Sequence, residues 1–178
     1  MARLAIAALA LAALSACASP APVVDGPFAL EAFFDGASRS EGEVVTLLVW
    51  TEKLTADFAG TTNGDHLDLD ETFHFEQGDR LQRWQLTAEP GGRYTGTVST
   101  AGEDGELRPA VTVTGSKTAD GAVLDYDGYA PGGSDMLLHF RHRMTRQPDG
   151  TVLNRVRISK FGLPIAGAQV VFSKPPTG

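Results

Sequence analysis

From Glu43 onward, apolar and polar residues alternate with a period of two, and turn signals break the alternation roughly every ten residues. The run HLDLDETFHF, His66 to Phe75, shows the pattern plainly. Leu67, Leu69, Phe73 and Phe75 fall on one face, and His66, Asp68, Asp70, Thr72 and His74 on the other. Successive side chains of a strand point to opposite faces, so this pattern means a strand with one face buried. Glu43 to Ala59 reads as one long bent strand or two short ones. Leu81 to Ala88, Arg93 to Val98, Leu107 to Lys117, Ala122 to Tyr129, Asp135 to Thr145, Thr151 to Phe161 and Ile165 to Ser173 continue the series. Asn63-Gly64, Gln77-Gly78-Asp79, Pro90-Gly91-Gly92 and Asp149-Gly150 separate them as turns. The fold class expected is all-β: an antiparallel meander of roughly eight to ten strands, with no amphipathic helix after residue 40. Such a meander must hide its edges, and closure into a β-barrel does so fully. A two-sheet sandwich is the competing architecture. Ahead of the strands, FALEAFFDG (Phe28 to Gly36) reads as a short helix or irregular cap, with Phe28, Leu30, Phe33 and Phe34 as a hydrophobic plug.

The N-terminus carries a different signal. Arg3 is followed by the unbroken apolar run Leu4 to Leu14. That run is too short for a bilayer, which needs about 20 residues, and has the proportions of a secretory signal peptide. It ends in Leu14-Ser15-Ala16 before Cys17, the single cysteine of the chain. This resembles the lipobox of bacterial lipoproteins, which implies cleavage before Cys17 and acylation of that residue. The plainer alternative is a secretory signal cut elsewhere, leaving a free thiol. Residues 1–16 are thus expected to be a signal peptide, 17–27 a lipidated tether rich in proline, and 28–178 the barrel domain. By resemblance to enterobacterial lipoproteins, Ala18 after the cysteine favours the periplasmic face of the outer membrane. The expected partners are the membrane, through the anchor, and a hydrophobic small molecule or lipid. The formal charge is −7, with 22 acidic against 15 basic side chains, which argues against nucleic acid as a partner.

Four blocks extend the reading to a family. FALEAFFDG, LDLDETFHF, GRYTG (Gly92 to Gly96) and LNRVRISKFG (Leu153 to Gly162) resemble a proteobacterial lipoprotein family known as domain of unknown function thirty-eight thirty-three. The resemblance implies a lipocalin-like barrel on a lipid anchor and brings no catalytic residues, cofactor or metal with it.

Strand parity then singles out polar residues on apolar faces. Glu71 shares a face with Leu69 and Phe73, His142 with Phe140 and Met144, and Asn154 with Val152 and Val156. An unpaired buried carboxylate is costly or protonates. One reading is therefore a ligand pocket lined by Trp50, Phe73, Trp84 and Tyr94, with Glu71, His142 and Asn154 fixing a polar head. The other is that the three satisfy one another or stray backbone groups. A Glu–His pair also raises acid–base catalysis, but there is no G-x-S-x-G motif and the single cysteine has another expected use. The row His66, Asp68, Asp70 and His74 has metal-capable groups. Alternate residues on one strand are about 6.6 Å apart, too far to converge on one ion without help from another strand. If Pro148-Asp149-Gly150 closes a hairpin, Arg143 faces Arg155 and Arg141 faces Arg157. That arrangement is either an anion site or a charge ladder neutralised by Asp125 and Asp127.

Overall fold

A computed structural model describes residues 26–46 and 50–175, with Trp50 described by its backbone alone. Cys17 and the expected signal peptide lie outside the described residues. A five-residue helix, α1 (Leu30–Phe34), precedes ten strands. These are β1 (Gly36–Thr46), β2 (Trp50–Asn63), β3 (His66–Phe75), β4 (Gly78–Glu89), β5 (Arg93–Thr100), β6 (Val111–Lys117), β7 (Gly121–Gly128), β8 (Leu138–Arg146), β9 (Val152–Lys160) and β10 (Leu163–Ser173). Each strand pairs antiparallel with the next, and β1 pairs with β10, so the meander closes into a barrel. The barrel, not the sandwich, is the architecture.

The stretch Glu43 to Ala59 is two strands, not one bent strand. Its halves fold back on each other, with Thr46 opposite Trp50 and Val44 opposite Glu52. Two other segments start later than their patterns suggest. β6 begins at Val111, after a loop whose Ala101 bridges Leu107, and β8 begins at Leu138. Met136 is consequently an exposed loop residue and does not face inward with Phe140. The β8–β9 hairpin does align Arg143 with Arg155 and Arg141 with Arg157. Like charges directly opposed are unfavourable. Arg141 turns to Asp125 on β7, donating to both carboxylate oxygens at 3.0 and 3.1 Å, and Arg155 donates to Gln169 on β10. The outer row of β3 is tied to its neighbours in the same way. Arg83 donates to both oxygens of Asp70, Gln85 donates to Asp68, and His74 lies between Asp57 and Asp79.

The two ends of the barrel differ. Hairpin turns 64–65, 90–92, 118–120 and 147–151 lie at one end with α1. Phe34, Phe58 and Phe172 form a triangle there, with ring centroids 5.3 to 5.4 Å apart, and all three are buried. Such pairs add about 0.5–1.5 kcal/mol each beyond their area. A five-residue helix is far below the length at which helices hold themselves, and α1 has no side-chain cap. Side chains of distant strands hold it instead. The Leu30 N–H donates to the Tyr94 hydroxyl at 3.2 Å, and that hydroxyl donates to Glu31 at 3.0 Å. The Thr62 hydroxyl donates to the Glu31 carbonyl at 2.8 Å. Gly60 makes the approach possible, because a Cβ there would stand 1.9 Å from the Phe34 carbonyl oxygen. The opposite end carries the β3–β4, β5–β6, β7–β8 and β9–β10 connections, and among the described residues it has no such plug.

Candidate functional site

Between the two ends, a belt of polar side chains crosses the barrel interior. Glu71 (β3), Gln82 (β4), Asn154 (β9), Tyr126 (β7) and Thr100 (β5) are all buried there. They form a hydrogen-bonded network. Asn154 Nδ2 donates to His142 Nδ1 at 3.2 Å. Nδ1 is then an acceptor, so the proton of the neutral ring is on Nε2, which points at the Tyr126 hydroxyl 3.4 Å away. Tyr126 is hydrogen-bonded to Gln82, whose amide donates to Thr100 Oγ1 at 2.7 Å. In the same belt, Trp84 Nε1 donates to Glu71 Oε2 at 3.0 Å. The aromatic rings lock the belt in place. Tyr126 stacks on Phe140 at 5.0 Å and on His142 at 5.7 Å, and Trp84 meets Tyr126 edge-on at 5.3 Å.

Burial decides the charge state of the belt. It pushes the Glu71 carboxyl up to about 8, and the hydrogen bond from Trp84 offsets only part of this. It pushes the His142 imidazole down to about 4. Tyr126 is raised by burial and by the neighbouring Glu71. Near pH 7 the belt is therefore neutral: a carboxylic acid, an uncharged imidazole, a phenol and two amides. Both imidazole nitrogens are engaged within the belt, so neither is free to take a proton from a bound molecule.

The belt is the floor of a cavity of about 220 Å³ that opens toward the unplugged end. Phe73, Phe75, Phe140, Val156, Ile158 and Val170 supply much of its wall, and Glu52 and Lys53 stand on it toward the β1–β2 connection. A second void of about 40 Å³ lies on the helix side of the belt, among Phe34, Leu69, Trp84, Leu86 and Met144. One buried polar atom of the floor, Asn154 Oδ1, has no hydrogen-bond partner.

The structure brings Glu71, Phe73, His142 and Asn154 together on one cavity. Trp84 is not on its wall; it sits beneath, bordering the small void, and holds Glu71 from behind. Tyr94 corrects the reading from parity. It faces the interior, but its hydroxyl is at the plugged end, where it binds α1. Parity fixes the face of a strand residue and says nothing of its height in the barrel. The Trp50 side chain lies outside the described residues. Gln82 and Tyr126 were not singled out from the sequence, although both follow inward parity, with Trp84 and Leu124 respectively. The signal for them is the same as for Glu71: a polar group in phase with apolar neighbours.

A search of curated proteins returned no match. A family model described as "Protein of unknown function (DUF3833)" matches residues 11–174. That span includes every strand of the barrel and each floor residue, and the chain belongs to this family.

Proposed function

We propose that this protein binds or shuttles a hydrophobic molecule, an acyl chain or lipid, inside a lipocalin-like barrel tethered to a membrane through an acylated Cys17. The tether would place the barrel in the cell envelope, at the periplasmic face of the outer membrane. The observation that carries the ligand reading is the cup itself: apolar walls, a polar floor and an open mouth in an interior that the aromatic triangle seals from the other side. A barrel meant only as a scaffold gains stability by filling its interior, since each empty methyl-sized space costs about 1 kcal/mol. Gly26, the first described residue, lies against the Thr118 and Ala119 carbonyls at the plugged end, opposite the mouth.

The test fills the cup. Val156→Trp projects an indole into the cavity from β9. The neutral probe N-phenyl-1-naphthylamine should brighten with the wild-type chain and lose at least about tenfold in affinity with the variant. Equal brightening by both chains places the probe elsewhere and refutes the cup as the site. Native mass spectrometry of protein purified from its host should show the acyl mass on Cys17, together with a co-purified lipid.

A second reading, an envelope assembly factor working through its outer surface, is favoured by one observation. Phe161 is 93% exposed and Leu163 69%, and Met136 and Leu137 are exposed beside the same mouth. Apolar residues grouped at one end of a barrel are what a docking surface presents.

A further inference from the structure

The floor has a chemistry of its own, and it narrows the class of molecule. Three features act together. First, Asn154 lines the cavity, and its Oδ1 is buried without a partner. A buried acceptor left unpaired costs about 1–3 kcal/mol, so the site favours an occupant that donates a hydrogen bond there. Second, Glu71 lines the cavity and has one oxygen engaged by Trp84. Held as the neutral acid by burial, it donates to an acceptor on the occupant. Third, among the described residues no cationic side chain stands on the floor. The polar groups that share the cavity with Glu71 are Ser40 from β1, Gln82 from β4, Tyr126 from β7, His142 from β8 and Asn154 from β9, with Glu52 and Lys53 on β2 toward the mouth. An anionic head would be buried among neutral groups without a counter-charge, which is strongly disfavoured. An ammonium head would be buried without a counter-charge unless Glu71 first released its proton to solvent and ionised inside an apolar wall. The cavity volume of about 220 Å³ is also smaller than the roughly 300–1,000 Å³ of common small-molecule sites, so it suits one narrow chain.

We infer that the cup takes a single aliphatic chain ending in an uncharged head that both donates and accepts a hydrogen bond, a primary alcohol or the hydroxyl of a monoglyceride, seated head-down between Asn154 and Glu71. This rests on the reading that the cup holds a hydrophobic molecule. The tail then lies along Phe73, Phe75, Val156 and Ile158 toward the mouth, so apolar walls meet methylenes and polar floor meets hydroxyl.

The experiment compares head groups on one chain length. Full-length protein, in the same dilute detergent throughout, is dialysed to equilibrium against labelled 1-decanol, decanoate or decylamine at pH 7. The expected order is decanol first, about tenfold or more ahead of either charged chain. Asn154→Leu should weaken decanol by about tenfold, the equivalent of one lost hydrogen bond to a buried acceptor. Glu71→Gln, which keeps a neutral donor in place, should stay within about threefold, and Glu71→Leu should fall with Asn154→Leu. The wild-type comparison needs no variant, so a folding defect in one of them leaves the result readable. Equal affinity for all three heads, or a preference for decanoate or decylamine, overturns this inference while leaving a hydrophobic site in place. Failure of every chain to bind overturns it together with the reading beneath it.

Discussion

The plugged and open ends of the barrel are built from the same ten strands with the same alternation, and they behave as opposites. At the plugged end, three phenylalanines from α1, β2 and β10 meet as a triangle, and Tyr94 reaches up from β5 to hold the helix. At the open end, Phe161 stands almost wholly in solvent, at the first position of the β9–β10 turn, in a left-handed conformation with φ 51°. One aromatic side chain completes a core; another is displayed on a backbone that disfavours it. The difference teaches that a closed sheet leaves both of its ends to other devices. Here the residues before the first strand supply one lid, and the other end is left as a mouth. The neutral belt at Glu71, Tyr126, His142 and Asn154 marks the boundary between the two regimes.

Three measurements can break or sharpen that contrast. The largest effect is expected at the plug. Phe34→Ala removes one corner of the triangle and opens a void under the belt, and should cost about 3–5 kcal/mol in denaturant unfolding. A cost below about 1 kcal/mol would mean that the helix rests on the barrel without sealing it.

The belt comes next, with a sign fixed by linkage. Glu71 releases its proton near pH 4.5 when unfolded and near 8 when folded. Its contribution is fully present below pH 4.5 and is lost as pH rises through that window, with a slope approaching 1.4 kcal/mol per pH unit. His142 works the other way, since its folded value of about 4 lies below the unfolded 6.5, so stability falls as pH drops from 6.5 toward 4. Glu71→Gln should therefore flatten the stability profile between about pH 6.5 and 8, unmask the His142 loss between about pH 6.5 and 4.5 that Glu71 offsets in the wild type, and exceed the wild type at pH 8 by a few kcal/mol. Parallel profiles for the two chains would show that Glu71 reaches water.

The smallest effect is at the mouth and has the opposite sign. The turn holds φ 51° at Phe161 and 78° at Gly162, a two-residue hairpin geometry that suits Asn-Gly. Phe161→Asn should raise stability by about 1 kcal/mol, or roughly 2–4 °C in melting temperature. A loss of stability would mean that the exposed ring packs on its own rim, where Lys160 stands 5.0 Å above it, and is not held out for a partner.

Much of this was legible in the residues. Strand alternation, the turn signals and the conflict between Glu71 and its apolar neighbours follow from local geometry, because a strand's side chains alternate whatever surrounds it. The facing of Arg143 with Arg155 followed from one hairpin turn and matched apolar faces. The reading weakened wherever height along the barrel mattered. Trp84 and Tyr94 share inward parity with Phe73, yet one supports the floor from below and the other binds the helix. β8 begins at Leu138 and not at Asp135, which leaves Met136 in an exposed loop, and alternation alone does not place that start.

The sequence by itself determined an all-β chain with turns at given places, and which residues of each strand share a face. Those are consequences of backbone sterics acting over a few residues. Closure of β1 on β10, the end sealed by α1, and the meeting of β3, β4, β7, β8 and β9 side chains at one floor were decided by the tertiary structure alone. The reason is distance: Tyr94 and Leu30 are 64 positions apart in the chain and 3.2 Å apart at their hydrogen bond, and no local pattern encodes which remote groups will share a height once a sheet has curled.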